Sequence, residues 1–182
     1  MPKMNRMWAM PNTETFSIQP IADLLIRVLR GCSVIVDPFA RNSEFAHYRN
    51  DLDLTTKAEY HMDAKDFCRR LIQEGVQADA VLFDPPYSPR QISEAYKSVG
   101  KAVSMEGTQN ARLYREVRDG LDMLLSSGGI AISCGWNSVG FGKERGYEIE
   151  EILLVSHGGA HNDTIIVVER KIQRRLDADG SA

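Results

Sequence analysis

Four consecutive residues of the sequence combine a carboxylate, two rigid residues and an aromatic ring: Asp84, Pro85, Pro86 and Tyr87. The Asp84 carboxylate and the backbone carbonyl of Pro85 can accept hydrogen bonds from the two hydrogens of an amino group, which stabilises positive charge developing on its nitrogen. The prolines restrict the backbone, and the ring of Tyr87 offers a face on which a planar base can stack. The segment indicates chemistry on an amino nitrogen, with all four residues as catalytic candidates.

Four further aspartates each follow a short strand-like run of the sequence. Asp37 ends the first run, Asp51 and Asp53 follow the second, and Asp63 follows the third. Ligands of open α/β sheets bind at the carboxyl ends of the strands, so we expect these side chains to share one binding edge with Asp84. Asp63 also suits the N-cap of a helix, a role that is compatible with binding.

The elements that must position these residues alternate between strands and helices. Apolar runs typical of buried strands cover residues 32–37, 78–83 and 129–134, with weaker strand patterns at 45–50 and 59–62. Helical spacing of apolar residues covers 20–31, 64–74 and 110–126. This alternation predicts an α/β fold with a mostly parallel sheet covered on both faces.

The C-terminal part of the chain has a different pattern. Two strand-like runs, 148–156 and 164–170, are separated only by a polar, glycine-containing stretch, which predicts an antiparallel hairpin. We expect one domain over residues 1–182, with residues 1–12 and 171–182 fraying. No linker or repeat indicates a second domain.

The composition of the 182-residue chain limits the classes of function. A net charge of -3 and a pI near 5.8 argue against a protein that coats nucleic acid, so any contact needs a local patch, such as the basic residues within 90–118. No apolar run approaches the length of a membrane span, and the N-terminus lacks the apolar core of a secretory signal. We therefore expect a cytoplasmic protein that makes no membrane contact. The four histidines form no recognisable metal-ligand set, so no metal is expected.

The sequence resembles the S-adenosylmethionine (SAM)-dependent DNA amino-methyltransferases, which modify adenine N6 or cytosine N4, and in particular small phage- or prophage-like adenine-specific members. Residues 84–87 complete the fourth motif of that family, (D/N/S)-P-P-(Y/F/W), and residues 15–20 are similar to its tenth motif, which precedes the first as it does here. The first motif of the family is usually D-P-F-x-G-x-G. This chain keeps residues 37–39 of that pattern but has Arg41 and Ser43 at the glycine positions.

The resemblance implies a Rossmann-like SAM-dependent methyltransferase fold, with a seven-stranded, mostly parallel sheet and an antiparallel strand in the C-terminal hairpin. It implies SAM as the cofactor, with Asp37 near the methionine amino group, Asp51 on the ribose hydroxyls and Asp63 on adenine N6. Asp53 competes for the ribose, but Asp51 is favoured because it directly follows the strand-like run. Further cofactor-binding candidates are Phe16, Ser17, Pro38, Phe39, Ala64 and Asp84. Substrate-binding candidates are Tyr87, Arg90, Trp136 and Asn137, although Trp136 and Asn137 also read as a turn.

The Asp form of the fourth motif favours adenine N6 of DNA, with the base flipped out of the duplex and held by residues 84–87. Cytosine N4 of DNA and guanine N2 of ribosomal RNA remain alternatives. An alternative of another class is a catalytically silent subunit that binds nucleic acid or another methyltransferase. We expect no separate target-recognition domain, and residues 88–109 are the sole sizeable candidate for that role. We therefore expect a relaxed sequence preference, or help from a second subunit in a homodimer or with a different partner, and a loop at 88–109 that substrate orders.

Overall fold

A computed structural model describes residues 1–86, 110–159 and 161–172, and these residues form one seven-stranded sheet. The strands are β1 (Lys3–Trp8), β2 (Ile35–Asp37), β3 (Tyr48–Arg49), β4 (Ala78–Phe83), β5 (Leu125–Gly135), β6 (Tyr147–Ser156) and β7 (Thr164–Lys171). They lie in the order β1-β6-β7-β5-β4-β2-β3. Only β7 runs antiparallel to its neighbours, β5 and β6, and the other described pairs are parallel. The predicted fold class and the antiparallel hairpin are therefore confirmed.

Helices cover both faces of this sheet. They are α1 (Gln19–Val28), α2 (Ala64–Gln73) and α3 (Asn110–Leu124), with 3-10 turns at Thr15–Ser17 and Lys143–Arg145. Alternate residues of β4 separate two cores: Ala80 and Leu82 pack with α1, whereas Val81 and Phe83 pack with α2 and α3. Within the described ranges, no helix is both long and apolar enough to cross a membrane.

Several strands differ in length from the prediction. The run 32–37 forms a strand only over Ile35–Asp37, and 45–50 only over Tyr48–Arg49. The run 59–62 contributes a single bridge, between Asn50 and Tyr60. At the other end, β5 begins at Leu125, so the helix predicted for 110–126 ends two residues earlier than the sequence suggests.

The prediction that residues 1–12 fray is wrong for Lys3–Trp8, which pairs with β6 in parallel. The amide of Asn5 donates to Glu151 Oε1 at 2.8 Å, and Lys3 Nζ lies 3.5 Å from the same oxygen. Arg27 of α1 donates to both oxygens of this carboxylate, at 3.0 and 2.9 Å. Most β1 side chains are exposed because the strand lies at the edge of the sheet, so its sequence carries no apolar alternation.

The C-terminal boundary of the fraying prediction also changes, because Lys171 is the last residue of β7. Its ammonium group is buried and lies 3.0 Å from the Asp122 carboxylate. A charged residue reads as solvent-facing in a sequence, but a buried partner makes this position part of the sheet. Residues 173–182 lie outside the described part of the chain.

Replacing Glu151 with alanine tests the attachment of β1. We expect Glu151→Ala to lower the free energy of unfolding by about 2 kcal/mol, because the change removes the acceptor shared by α1 and β1. The exposed Glu148 of the same strand is the matched control, and Glu148→Ala should change stability by less than about 0.5 kcal/mol. Chemical denaturation measures stability, and hydrogen exchange reports on the amides of residues 3–8. Unchanged exchange in those amides together with unchanged stability would contradict the assignment.

Candidate cofactor and active site

The parallel strands bring the predicted carboxylates to one edge of the sheet. Asp37 is the last residue of β2, Asp51 lies two residues beyond β3, and Asp84 follows β4 directly. The charges of Asp84 and Asp51 both act on Asp37, whose pKa rises to about 8, mainly because the group is buried. A hydrogen bond from the backbone N–H of Phe39 acts in the opposite direction. Three carboxylates from three strand ends thus share one electrostatic environment.

The Asp37 carboxylate is fully buried and only half satisfied. Its Oδ1 accepts a hydrogen bond from the backbone N–H of Phe39 at 2.9 Å. Its Oδ2 has no hydrogen-bond partner among the residues described. Buried polar atoms are normally paired, so this oxygen fits a donor supplied by a bound molecule, such as an ammonium group.

Asp51 braces the loop that follows β2. Its Oδ2 accepts from the backbone N–H of Arg41 at 3.1 Å, and its Oδ1 accepts from the N–H of Asp53 at 2.8 Å. Burial raises the pKa of Asp51 against the lowering effect of these two hydrogen bonds. Asp53 differs, because its carboxylate accepts from the N–H and the hydroxyl of Thr55 in a local turn, which lowers its pKa. Asp51 therefore belongs to the site edge, and Asp53 belongs to its own turn.

A residue that sequence reasoning missed joins the loops at this edge. The buried Asn50 amide donates to the carbonyls of Pro38 and Met62, both at 3.0 Å, and accepts from the N–H of Met62 at 3.1 Å. The backbone N–H of Asn50 also donates to the carbonyl of Asp37 at 2.9 Å. The available signal was a polar residue at the end of a strand-like run, which also describes many turns.

In the loop after β2, Arg41 has a positive φ, a backbone conformation that favours glycine. Arg41 has φ +48°, and it is the one non-glycine residue with positive φ in the described part of the chain. This left-handed conformation is the one that glycine adopts at little cost. Ser43, at the second glycine position, donates its N–H to the carbonyl of Ala40 at 2.8 Å and so closes the turn.

A cavity of about 330 Å³ lies between the 3-10 turn Thr15–Ser17 and this loop. That volume falls in the range of small-molecule sites. Its wall consists of Glu14, Thr15, Phe16, Ser17, Phe39, Ala40, Arg41, Asn42, Ser43, Glu44, Phe45, Lys57 and Asp84. Three of the predicted cofactor residues, Phe16, Ser17 and Phe39, thus share a wall with Asp84.

The remaining predicted cofactor residues lie elsewhere at the strand ends. Asp63 caps α2, because its Oδ1 accepts from the N–H of Lys65 at 3.1 Å, and Ala64 is the first residue of that helix. Pro38 is buried beside Asp37 and binds Asn50 through its carbonyl. None of these residues, Asp37, Pro38, Asp51, Asp63 and Ala64, is among the described residues of the cavity wall.

Phe83, the last residue of β4, anchors the Asp84 turn in an aromatic cluster. Its ring lies 5.9 Å from Phe39 and 6.1 Å from Phe141, both edge to face, and the guanidinium of Arg118 lies 5.6 Å above it. Pro85 is buried, whereas Asp84 and Pro86 are partly exposed. The predicted residues Tyr87 and Arg90 lie outside the described residues, as does the segment 88–109.

The loop after β5 carries two predicted substrate residues on a firm support. Trp136 is 51% exposed, and Asn137 is exposed and accepts from the N–H of Val139 at 3.1 Å in a turn. The buried Glu169 carboxylate of β7 accepts from the N–H of Phe141 at 2.6 Å and of Gly142 at 2.9 Å. Burial raises the pKa of Glu169. Glu169 thus positions this loop, a role hidden in the sequence by the apolar strand around it.

The strand order of the described sheet, with β7 antiparallel, and the helices on both faces define a Rossmann-like methyltransferase fold. Similar solved structures include TrmN from Thermus thermophilus, with a TM-score of 0.53 and 18% identity over 85% of this chain and 49% of that one. NSun6 from Pyrococcus horikoshii with SFG has a TM-score of 0.54 and 17% identity over 82% of this chain and 51% of that one. This chain spans about half the length of those structures. No protein-family model and no curated protein matches the sequence.

Gly140 provides a test of the support that Glu169 gives to the loop after β5. A Cβ at Gly140 would lie 2.2 Å from Glu169 Oε2, and the residue has φ +56°. We expect Gly140→Ala to cost about 1–3 kcal/mol of stability beyond the conformational penalty, because the carboxylate must leave its two N–H donors. Thermal and chemical denaturation measure the loss.

The matched control for Gly140 is Gly75, which has φ +72° and open space where a Cβ would be added. Gly75→Ala carries the left-handed strain alone and should cost about 1 kcal/mol. Equal losses in the two variants would show that Glu169 does not hold the loop as the contacts indicate.

Proposed function

We propose that this protein transfers the methyl group of SAM to an exocyclic amino nitrogen of a nucleobase, with adenine N6 of DNA as the favoured target. The observation that carries the proposal is the position of Asp84, which lies on the wall of the cavity and within electrostatic reach of the half-satisfied Asp37. The fold supports SAM as the cofactor, and the NSun6 structure holds SFG, a SAM analogue.

The site fits the cofactor at the Asp37 carboxylate. Its unpaired Oδ2 would accept from the ammonium group of the methionine part, which offsets the cost of burying a carboxylate. A carboxylate has about four lone-pair sites, so Asp51 could accept from ribose hydroxyls while it holds the loop. By resemblance, Asp63 would contact the adenine ring, while Phe16, Ser17, Pro38, Phe39 and Ala64 would complete the cofactor contacts.

The chain's own residues supply acceptors and position. Bound SAM would provide a methyl group activated by its positive sulfur. Asp84 and the Pro85 carbonyl would accept the amino hydrogens of the target base, which raises the electron density available for attack. Because Phe83 is fixed among aromatic rings and Pro85 is buried, these acceptors hold their place before substrate arrives.

The substrate side of the proposal rests on aromatic and polar side chains. Tyr87 would stack on the flipped base, with Arg90 on a phosphate. Trp136 and Asn137 would form the opposite wall, where an exposed indole can stack on a neighbouring base. The Asp form of residues 84–87 favours adenine, and cytosine N4 or guanine N2 of RNA are the competing targets.

The raised pKa of Asp37 predicts that cofactor binding is coupled to proton release. In the free protein Asp37 is mostly protonated below its pKa of about 8, whereas an ammonium partner favours the carboxylate. Binding at about pH 6.5 should therefore release about one proton, and affinity should rise with pH from about 6 to 8. Calorimetry in buffers of different ionisation enthalpy counts the protons.

Asp37→Asn should abolish this proton release, and the exposed Asp53 gives the control variant Asp53→Asn, which should retain it. Proton release that is identical in the wild type and in Asp37→Asn would rule out Asp37 as the titrating group.

Labelled SAM incubated with DNA, and separately with RNA, tests the activity itself. Mass spectrometry of the digested nucleosides should show N6-methyl-2′-deoxyadenosine from DNA. Asp84→Ala should lower transfer by about 100-fold or more while SAM binding stays near the wild-type value, because the variant loses the acceptor for the amino group. Asp51→Ala is the matched variant and should weaken SAM binding by about tenfold.

The nucleoside detected separates the competing targets. Detection of N4-methyl-2′-deoxycytidine from DNA would identify cytosine as the substrate, and detection of N2-methylguanosine from RNA would identify guanine. Either result would leave the proposed methyl transfer to an amino group intact. SAM binding without transfer to any polymer would favour the silent subunit.

A further inference from the structure

Arg41 places a cation where the first motif of the resembled family has a glycine. Its side chain lies on the wall of the cavity, and its backbone N–H is held by Asp51 at 3.1 Å. The left-handed φ of +48° costs an ordinary residue about 1–2 kcal/mol. A strained residue held by its surroundings on a cavity wall points to a functional side chain.

The guanidinium of Arg41 is only partly used. Its Nε donates to Glu14 Oε1 at 3.2 Å, and the same oxygen accepts from Asn42 at 3.0 Å. The terminal Nη groups of Arg41 donate to none of the residues in the described ranges. Glu14 therefore holds the guanidinium by one edge and leaves the end of the fork available for a planar anion.

The proposed cofactor carries such an anion, because the amino-acid part of SAM has a carboxylate beside its ammonium group. In the proposed function Asp37, which lies behind the cavity wall beside Phe39, accepts from the ammonium group, whereas the wall itself includes the acidic residues Glu14 and Asp84, which repel a second anion. Two cations share that wall, Arg41 and Lys57. Lys57 lies 3.5 Å from Glu44 with both side chains largely exposed, so it sits at the outer rim.

We propose that Arg41 binds the carboxylate of the cofactor's amino-acid part through its Nη groups, and so selects ligands that carry this carboxylate. The side chain takes the place of the close backbone approach that a glycine-rich loop provides. Glu14 is the positioning residue, since it orients the guanidinium through Nε. The inference rests on the proposed use of SAM, and it concerns how the site recognises the carboxylate of that molecule.

Binding of SAM and of decarboxylated SAM tests the inference without any methyl transfer. Calorimetry with the full chain should show that the wild type binds SAM at least about tenfold more tightly than decarboxylated SAM. Arg41→Gln should weaken SAM and S-adenosylhomocysteine by about tenfold or more and leave decarboxylated SAM unchanged. Arg70→Gln, at an arginine outside the cavity wall whose Nε likewise donates to a carboxylate, that of Glu74, should change none of these affinities.

Two further observations separate the outcomes. Arg41→Lys keeps the charge but not the fork, so it should recover part of the SAM affinity, and thermal melts of each variant show that it is folded. Equal weakening of both ligands by Arg41→Gln, or no weakening, overturns the role of Arg41. A wild type that binds SAM and decarboxylated SAM alike sinks this inference alone, whereas a wild type that binds neither sinks the proposed function as well.

Discussion

The buried side-chain amide of Asn50 is the interaction on which the site edge depends. Parallel strands deliver their carboxyl ends to one edge, but the loops beyond them have no ladder to hold their backbone groups. The Asn50 side chain supplies such hydrogen bonds, because it pairs with the backbone of Pro38 and of Met62. The short strands β2 and β3 are sufficient because this amide continues the pairing where the strands stop. The positions of Asp37, Asp51 and Asp63 all follow from it.

The electrostatics of the site edge depend on Asp37, a buried carboxylate that is not fully hydrogen-bonded. Asp37 is fully buried, keeps one oxygen unpaired within the described residues and shares its surroundings with two other carboxylates. Such a group destabilises a folded chain when charged, and under the proposed function the cofactor's ammonium group would supply the missing partner. Asp51 is only partly buried and satisfies both oxygens with backbone N–H groups, which is why it braces the loop even without a ligand.

The sequence was sufficient for the layered fold and for the edge on which polar residues gather, because both follow from periodicity and from residues at strand ends. Edge strand β1 escaped prediction, since its exposed faces impose no apolar pattern and its polar side chains are satisfied by Glu151, distant in sequence. Asn50 and Glu169 escaped for a related reason. Their roles depend on main-chain groups that come near only in the folded chain, and no local pattern records such contacts.

Arg41 illustrates a different limit. The sequence shows the loss of a glycine, which suggests a changed backbone, yet the structure retains the left-handed turn and adds a side chain to it. The sequence therefore differs from the first motif at Arg41, but the backbone at Arg41 still has the positive φ that glycine adopts most easily. Strain of about 1–2 kcal/mol is small beside the hydrogen bonds that hold this turn to Asp51 and Glu14.

The hydrogen bonds between Glu169 and the loop after β5 also limit how far this loop can move when a molecule binds beside it. The carboxylate belongs to the one antiparallel strand of the described sheet, so Phe141 and Gly142 can move only if this buried group gives up two donors or a central strand shifts with them. Such a movement is costly, so this part of the loop keeps its conformation whether or not a ligand is bound. Under the proposed function, a base bound beside this loop would meet a surface that is already formed, so little conformational freedom would be lost on binding.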